Sequence, residues 1–79
     1  MTEEQVLNKL KQIFKEVFTN VKIDVTRELS AADVDEWDSL AHINIIIAIE
    51  KEFKISFLLE ELDNQKKVGD TIDQILKKI

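Results

Sequence analysis

The sequence predicts an all-α fold, a four-helix bundle with one short helix and a long loop between the first two long helices. Apolar residues recur at three- and four-residue spacing near both ends of the chain, which is typical of amphipathic helices. An apolar run, Ile45 to Ile49, lies at the centre of another predicted helix. The stretch from Val21 to Val25 alternates like a strand, but the chain offers no second strand to pair with it, so an extended loop is favoured.

Composition and charge restrict the class of protein. The chain has 79 residues, and we expect residues 1–79 to form a single domain. It contains no cysteine, so its core must depend on packing rather than on disulfides or a thiolate metal site. A net charge of −5 disfavours nucleic acid as a partner and favours basic protein surfaces. No apolar run could span a bilayer and the first residues do not resemble a signal peptide, so we expect a cytoplasmic protein.

The first helix should begin after Thr2, whose hydroxyl can cap it, with Gln5 completing a capping box. Asn20 is the predicted stop. The loop from Thr19 to Trp37 should be held to the core by its apolar residues, with a short turn from Ala31 to Val34. Loops of this length inside a small domain are usually functional.

The second helix should begin at Asp38 or Ser39 and end near Phe53, and its apolar residues fall on two faces. Either the helix is buried on all sides, or the second face is exposed for a partner. The small size of the domain favours the exposed face. The predicted core face comprises His42, Ile45, Ile46, Ile49 and Phe53, and the second face comprises Leu40, Ile43 and Ile47.

Two further helices complete the bundle. A brief third helix over Leu58 to Leu62 should offer Phe57, Leu58, Leu59 and Leu62 to the core. Gly69 should mark a break, after which Asp70 caps a last helix. The apolar face of this helix comprises Ile72, Ile75, Leu76 and Ile79.

The tripeptide Asp38-Ser39-Leu40 stands at the head of the second helix. It places a serine hydroxyl at the positive end of the helix dipole, where free backbone N–H groups stabilise an attached phosphate. On its own, Asp38-Ser39 is better explained as an ordinary helix cap, because both residue types are preferred there.

The sequence resembles the acyl carrier protein family from Val6 to Ile79. The resemblance rests on Asp38-Ser39-Leu40, on the apolar helix that ends in Glu50-Lys51-Glu52-Phe53, and on Val68-Gly69-Asp70-Thr71-Ile72 at the start of the last helix. It implies a stand-alone carrier, not an enzyme, with 4′-phosphopantetheine from coenzyme A attached to Ser39 and Asp38 in support. The thiol of that arm would hold acyl or aminoacyl groups as thioesters.

The resemblance also implies partners and a place for the cargo. The expected partners are a phosphopantetheinyl transferase and the acyl-loading and acyl-accepting enzymes, which would present basic docking surfaces to a monomeric carrier. The partner face would comprise Leu40, Ile43, Asn44, Ile47 and Glu50. The cargo would lie in a cleft between the second and third helices, lined by Ile45, Ile46, Leu59 and Leu62.

The chain departs from family members that serve bacterial fatty-acid synthesis. Glu36 replaces a glycine three places before the serine, and Ala41, Asn44 and Lys51 occupy positions that are usually acidic. The departures favour a dedicated pathway, such as polyketide, nonribosomal-peptide or cell-envelope biosynthesis. An alternative function, from another class, is that of an unmodified acidic interaction module. Such a module would bind a basic, apolar groove of a partner through Leu40, Ile43 and Ile47.

Catalytic and metal sites are not favoured. Ser39 and His42 lie one helical turn apart, but no orienting acid or oxyanion hole accompanies them. Asp33-x-Asp35-x-x-Asp38 lacks the glycine and the closing glutamate of a calcium loop. We therefore expect no catalytic residue and no specific metal site.

Overall fold

The computed structural model describes residues 1–79 and contains four α-helices, one 3₁₀ turn at Ala31–Asp33 and no strand. The predicted all-α fold is confirmed, including the short third helix and the long first connection. The helices are α1 (Glu3–Val17), α2 (Ser39–Phe53), α3 (Leu59–Asp63) and α4 (Val68–Lys78). None of them combines the length and apolar character needed to cross a membrane.

The predicted capping box is present at the start of α1. The Thr2 N–H donates to Gln5 Oε1 at 2.9 Å, and the Gln5 N–H donates to Thr2 Oγ1 at 3.2 Å. The helix ends at Val17, with Phe18 as its C-cap, before the stop that Asn20 suggested. Phe18 is itself buried, so the end of α1 remains anchored to the core.

The core lies between α1, α2 and α4, and α1 packs against both of the other long helices. Its buried residues come from the apolar faces that the spacing predicts, and α2 contributes four of its five predicted core residues to it. The fifth, His42, is half-buried. The largest fully buried side chains are Val6, Leu10, Ile49, Ile72 and Ile75.

The long loop is held to α4 through its backbone. The carbonyl oxygens of Arg27 and Leu29 accept the N–H groups of Gly69 and Val68, each at 2.9 Å. The Arg27 guanidinium also pairs with Asp73 at 3.0 Å and with Glu3. Carbonyl groups of the extended segment therefore find hydrogen-bond donors on the first turn of α4. This explains why the segment needs no second strand as a partner.

The start of α4 differs from the prediction. Val68 is its first residue, so Asp70 lies inside the first turn rather than at the cap. The Asp70 carboxylate accepts the N–H groups of Lys66 and Lys67 at 3.1 and 3.0 Å. Gly69 is not a break: it is buried within α4, where an added Cβ would lie 3.1 Å from the Arg27 carbonyl oxygen.

The third helix is held by polar contacts and contributes no buried residue. The prediction that Leu58 and Leu59 face the core is wrong, because both are exposed. Glu61 instead connects α3 to α4: its carboxylate pairs with Lys78 at 2.8 Å, and its carbonyl oxygen accepts the Gln74 side-chain N–H at 2.9 Å. A helix of five residues is too short to bury an apolar face of its own.

Candidate functional site

Ser39 is the first residue of α2, and Asp38 is its N-cap. Asp38 has extended backbone angles, and its Oδ1 accepts the Ala41 N–H at 2.8 Å. The Ser39 side chain is exposed, and its hydroxyl makes no hydrogen bond within the protein. The cap therefore satisfies the third N–H of the helix and leaves the serine hydroxyl accessible.

The first two N–H groups of α2 remain without acceptors. The backbone N–H groups of Ser39 and Leu40 have no partner in the protein, while the His42 N–H donates to the Asp38 carbonyl oxygen. Free donors at the N-terminus of a 15-residue helix add to the positive end of its dipole. The arrangement suits an anionic group attached to the Ser39 oxygen.

His42 does not act on Ser39. Its Nδ1 accepts the Trp37 indole N–H at 3.3 Å, and its ring stacks on the indole with centroids 6.0 Å apart. Partial burial lowers the pKa of His42 below its usual value of 6.5. Trp37 in turn contacts Phe14 edge-on at 5.1 Å. The imidazole is thus part of the aromatic contact that anchors the long loop, and no nucleophile–base pair is formed.

The second apolar face of α2 is exposed, so this helix is not buried on all sides. Leu40 is 67%, Ile43 53% and Ile47 56% exposed, and Asn44 is exposed between them. We call Leu40, Ile43 and Ile47 the apolar strip. Three large aliphatic side chains in consecutive turns beside Ser39 form a contiguous surface of the kind that binds a partner.

Glu50 differs from the rest of the predicted partner face. It is half-buried, and its Oε2 accepts the Phe57 N–H at 2.9 Å. This hydrogen bond fixes the connection between α2 and α3. Glu50 therefore has a structural role in holding that connection, and its place on the partner face stays a prediction.

The predicted cargo cleft between α2 and α3 is not formed as expected. Leu59 is 77% exposed and cannot line it, because it lies at the outward-facing start of α3. Ile45 and Ile46 are buried and adjoin a small space of about 10 Å³, while Leu62 is half-buried and does not reach that space. This small space is instead lined by residues of α1, α2 and α4 and by Trp37.

A groove that the sequence did not predict runs between the end of α1 and the loop that follows it. One part has a volume of about 290 Å³ and adjoins Asp38 and Leu40, on either side of Ser39. A second part, of about 520 Å³, continues along Val21 and Ile23. The alternation of Val21 and Ile23 does not by itself predict a groove, because the groove depends on how the loop crosses α1.

Fold and site together define a class of protein. The bundle presents an exposed serine at the positive end of a helix, next to an apolar strip, and brings no catalytic pair to that serine. Such a surface binds other proteins and can hold a covalently attached group. It is the surface of a carrier domain.

Comparison with known proteins identifies the family. No family model matches the chain. It is 33% identical to the acyl carrier protein of Acidothermus cellulolyticus over 75 residues, covering 95% of this chain and 89% of the relative. It is 32% identical to that of Thermosynechococcus vestitus over 79 residues, covering 100% and 98%. The solution NMR structure of holo acyl carrier protein from Geobacter metallireducens is 49% identical, with a TM-score of 0.84, over 91% of this chain and 83% of that one.

The chain belongs to the acyl carrier protein family, as the sequence resemblance indicated. Members of this family are carriers and not enzymes. Their cofactor is 4′-phosphopantetheine, which is attached covalently through a phosphate. The accessible Ser39 hydroxyl and the two free N–H groups beside it fit that phosphate.

Proposed function

We propose that this protein carries acyl or aminoacyl groups on a 4′-phosphopantetheine arm attached to Ser39 and presents them to partner enzymes. The observation that carries the proposal is the state of the α2 N-terminus. Asp38 caps the Ala41 N–H, while the Ser39 hydroxyl and the N–H groups of Ser39 and Leu40 have no partner in the protein. Every capped helix leaves its first N–H groups free; here they flank an exposed serine hydroxyl in a chain of the acyl carrier protein family.

The residues around Ser39 have separate roles in this proposal. When bound, the cofactor supplies a terminal thiol on which the cargo is held as a thioester. The α2 N-terminus stabilises the phosphate through its free N–H groups and its dipole. Asp38 keeps the first turn of α2 formed, so that the hydroxyl stays at a fixed place on the surface of the bundle.

Partner enzymes dock on the exposed face of α2. The apolar strip and Asn44 lie within eight residues of Ser39 along α2, so an enzyme that covers them has its active site near the arm. The partners are a phosphopantetheinyl transferase and the enzymes that load and accept the acyl group. The net charge of −5 supports basic docking surfaces on these enzymes, and the carrier acts as a cytoplasmic monomer whose one domain spans residues 1–79.

The carrier serves a dedicated biosynthetic pathway rather than bulk fatty-acid synthesis. From Ser39 to Ile49, α2 contains no charged residue, and the only charges of this helix are Glu50, Lys51 and Glu52 near its end. Recognition on this face therefore depends more on apolar contact than on pairs of opposite charge. Enzymes that select carriers by an acidic second helix would bind this one poorly.

Intact-mass measurement tests the attachment. The protein is incubated with coenzyme A, magnesium and a broad-specificity phosphopantetheinyl transferase, and we expect a gain of one phosphopantetheine. The chain has two other serines, Ser30 and Ser56, which provide matched controls. Ser39→Ala should abolish the gain, while Ser30→Ala and Ser56→Ala should keep it. No gain in a folded parent protein would instead favour an unmodified interaction module.

A further inference from the structure

We propose that the groove between the end of α1 and the following loop holds the 4′-phosphopantetheine arm of the holo protein. This inference rests on the proposed function, because it takes Ser39 as the attachment point. It assigns a resting place for the arm on the α1 side of Ser39, away from the expected cleft between α2 and α3.

The groove begins beside the attachment point, although Ser39 itself does not border it. Its nearer part, of about 290 Å³, is bordered by Asp38 and Leu40, the two neighbours of Ser39, and by Asn44 one turn further along α2. Its farther part, of about 520 Å³, shares four consecutive residues, Phe18 to Val21, with the nearer part. An arm that leaves Ser39 on this side therefore meets two adjoining hollows separated by these shared residues.

The lining matches the chemistry of the arm. The half-buried Val21 and Ile23 and the exposed Leu40 provide apolar surface for the methyl and methylene groups of pantetheine, while Phe14 and Phe18 are themselves buried. Asn20 and Asn44 provide amide donors and acceptors for its two amide groups. Apolar surface with a few polar groups is the usual lining of a small-molecule site.

The expected cleft between α2 and α3 offers the arm less. Leu59, which should form one wall, is 77% exposed, and the space beside Ile45 and Ile46 is bordered by α1 and α4 rather than by α3. That space has a volume of about 10 Å³, near the minimum of about 10–15 Å³ for one water molecule, so it does not hold the arm.

Because the arm is covalently attached, even a shallow groove can hold it for much of the time. A tethered ligand has an effective concentration in the millimolar range, so a weak site is largely filled. A weak site also releases the arm readily. Because Leu40 and Asn44 border the groove and also belong to the partner face, an enzyme that covers them competes for the mouth of the groove.

A spin label on the arm locates it. The chain has no cysteine, so the thiol of the arm is the only thiol of the holo protein and takes a methanethiosulfonate label selectively. In the ¹⁵N spectrum we expect the amides of Lys15 and of Thr19 to Ile23 to lose more than half of their intensity, with recovery after reduction of the label. Strong losses at Leu58 to Leu62, or losses confined to the two turns after Ser39, would overturn the proposal. Failure of the protein to acquire a thiol would instead contradict the proposed function.

A bulky substitution tests the same site from the protein side. Thr19 borders both parts of the groove and is exposed, so Thr19→Trp should fill the groove and displace the arm. The intensity loss at Ile23 should then disappear. Thr26→Trp, at an exposed loop position outside the groove, is the matched control and should leave the pattern unchanged. An unaltered pattern in Thr19→Trp, with its apo spectrum showing a folded bundle, would refute the assignment.

Discussion

The apolar strip allows a quantitative prediction for partner binding. Replacement of an isoleucine by alanine removes three carbon groups, which are worth about 2.4 kcal/mol when fully transferred from water. Ile43 is 53% and Ile47 56% exposed, so about half of that value remains to be gained when a partner covers each side chain. We therefore expect each substitution to cost about 1.2 kcal/mol of binding, or about sevenfold, and the pair to cost about fiftyfold.

The assay is transfer of phosphopantetheine to Ser39 at carrier concentrations well below KM, so that the rate reports kcat/KM. Ile79→Ala is the matched control, because Ile79 is 48% exposed but lies at the end of α4. Its kcat/KM should stay near that of the parent, and urea unfolding should show all variants folded. The apolar strip would not be the docking surface if the double variant Ile43→Ala/Ile47→Ala changed kcat/KM less than twofold. The same would follow if Ile79→Ala lowered kcat/KM as much as the double variant.

Three predictions concern stability. Gly69→Ala should lower the free energy of unfolding by about 1 kcal/mol, because crowding against the Arg27 carbonyl outweighs the better helix propensity of alanine. The lowered pKa of His42 means that its folded form binds a proton less readily than its unfolded form; stability should therefore fall from about pH 7.5 to 5.5, and less so in His42→Gln. The pKa of Glu61 is lowered by its hydrogen bond from the Leu58 N–H and then by Lys78. The ionised Glu61 therefore adds to the free energy of unfolding above about pH 4.5, and this stabilisation is lost on further acidification. Glu61→Gln should reduce this pH-dependent part of the stability.

Urea titrations at several pH values check all three predictions. A higher urea midpoint in Gly69→Ala would show that the loop at Arg27 moves aside without destabilising the fold. Parallel pH profiles for His42→Gln and the parent would mean that burial does not disfavour the imidazolium. If the stability of Glu61→Gln depended on pH below 5 as that of the parent does, the Glu61–Lys78 ion pair would not help to hold α3.

The sequence was sufficient where a local pattern has one physical outcome. The capping box at Thr2, the start of α2 after Asp38 and the two faces of α2 follow from side-chain chemistry and helical spacing alone. The lack of a strand partner likewise led to the extended loop. These features depend on residues that are close in sequence, so the local sequence is enough to predict them.

The sequence was insufficient where contacts join distant residues. The start of α4 depends on the carbonyl oxygens of Arg27 and Leu29, some forty residues earlier, which no local signal at Asp70 reveals. The outward position of Leu59 follows from the polar contacts of Glu61 with α4 rather than from its own apolar character. The groove beside α1 depends in the same way on how the loop crosses that helix.

Tandem mass spectrometry of the protein purified from its own cells tests the role of Ser39 most directly. We expect a phosphopantetheine, with or without an acyl group, on the peptide that contains Ser39 and on no other. Recovery of the protein without this group, or with the group on Ser30 or Ser56, would contradict the assignment of Ser39 as the point at which the carrier holds its cargo.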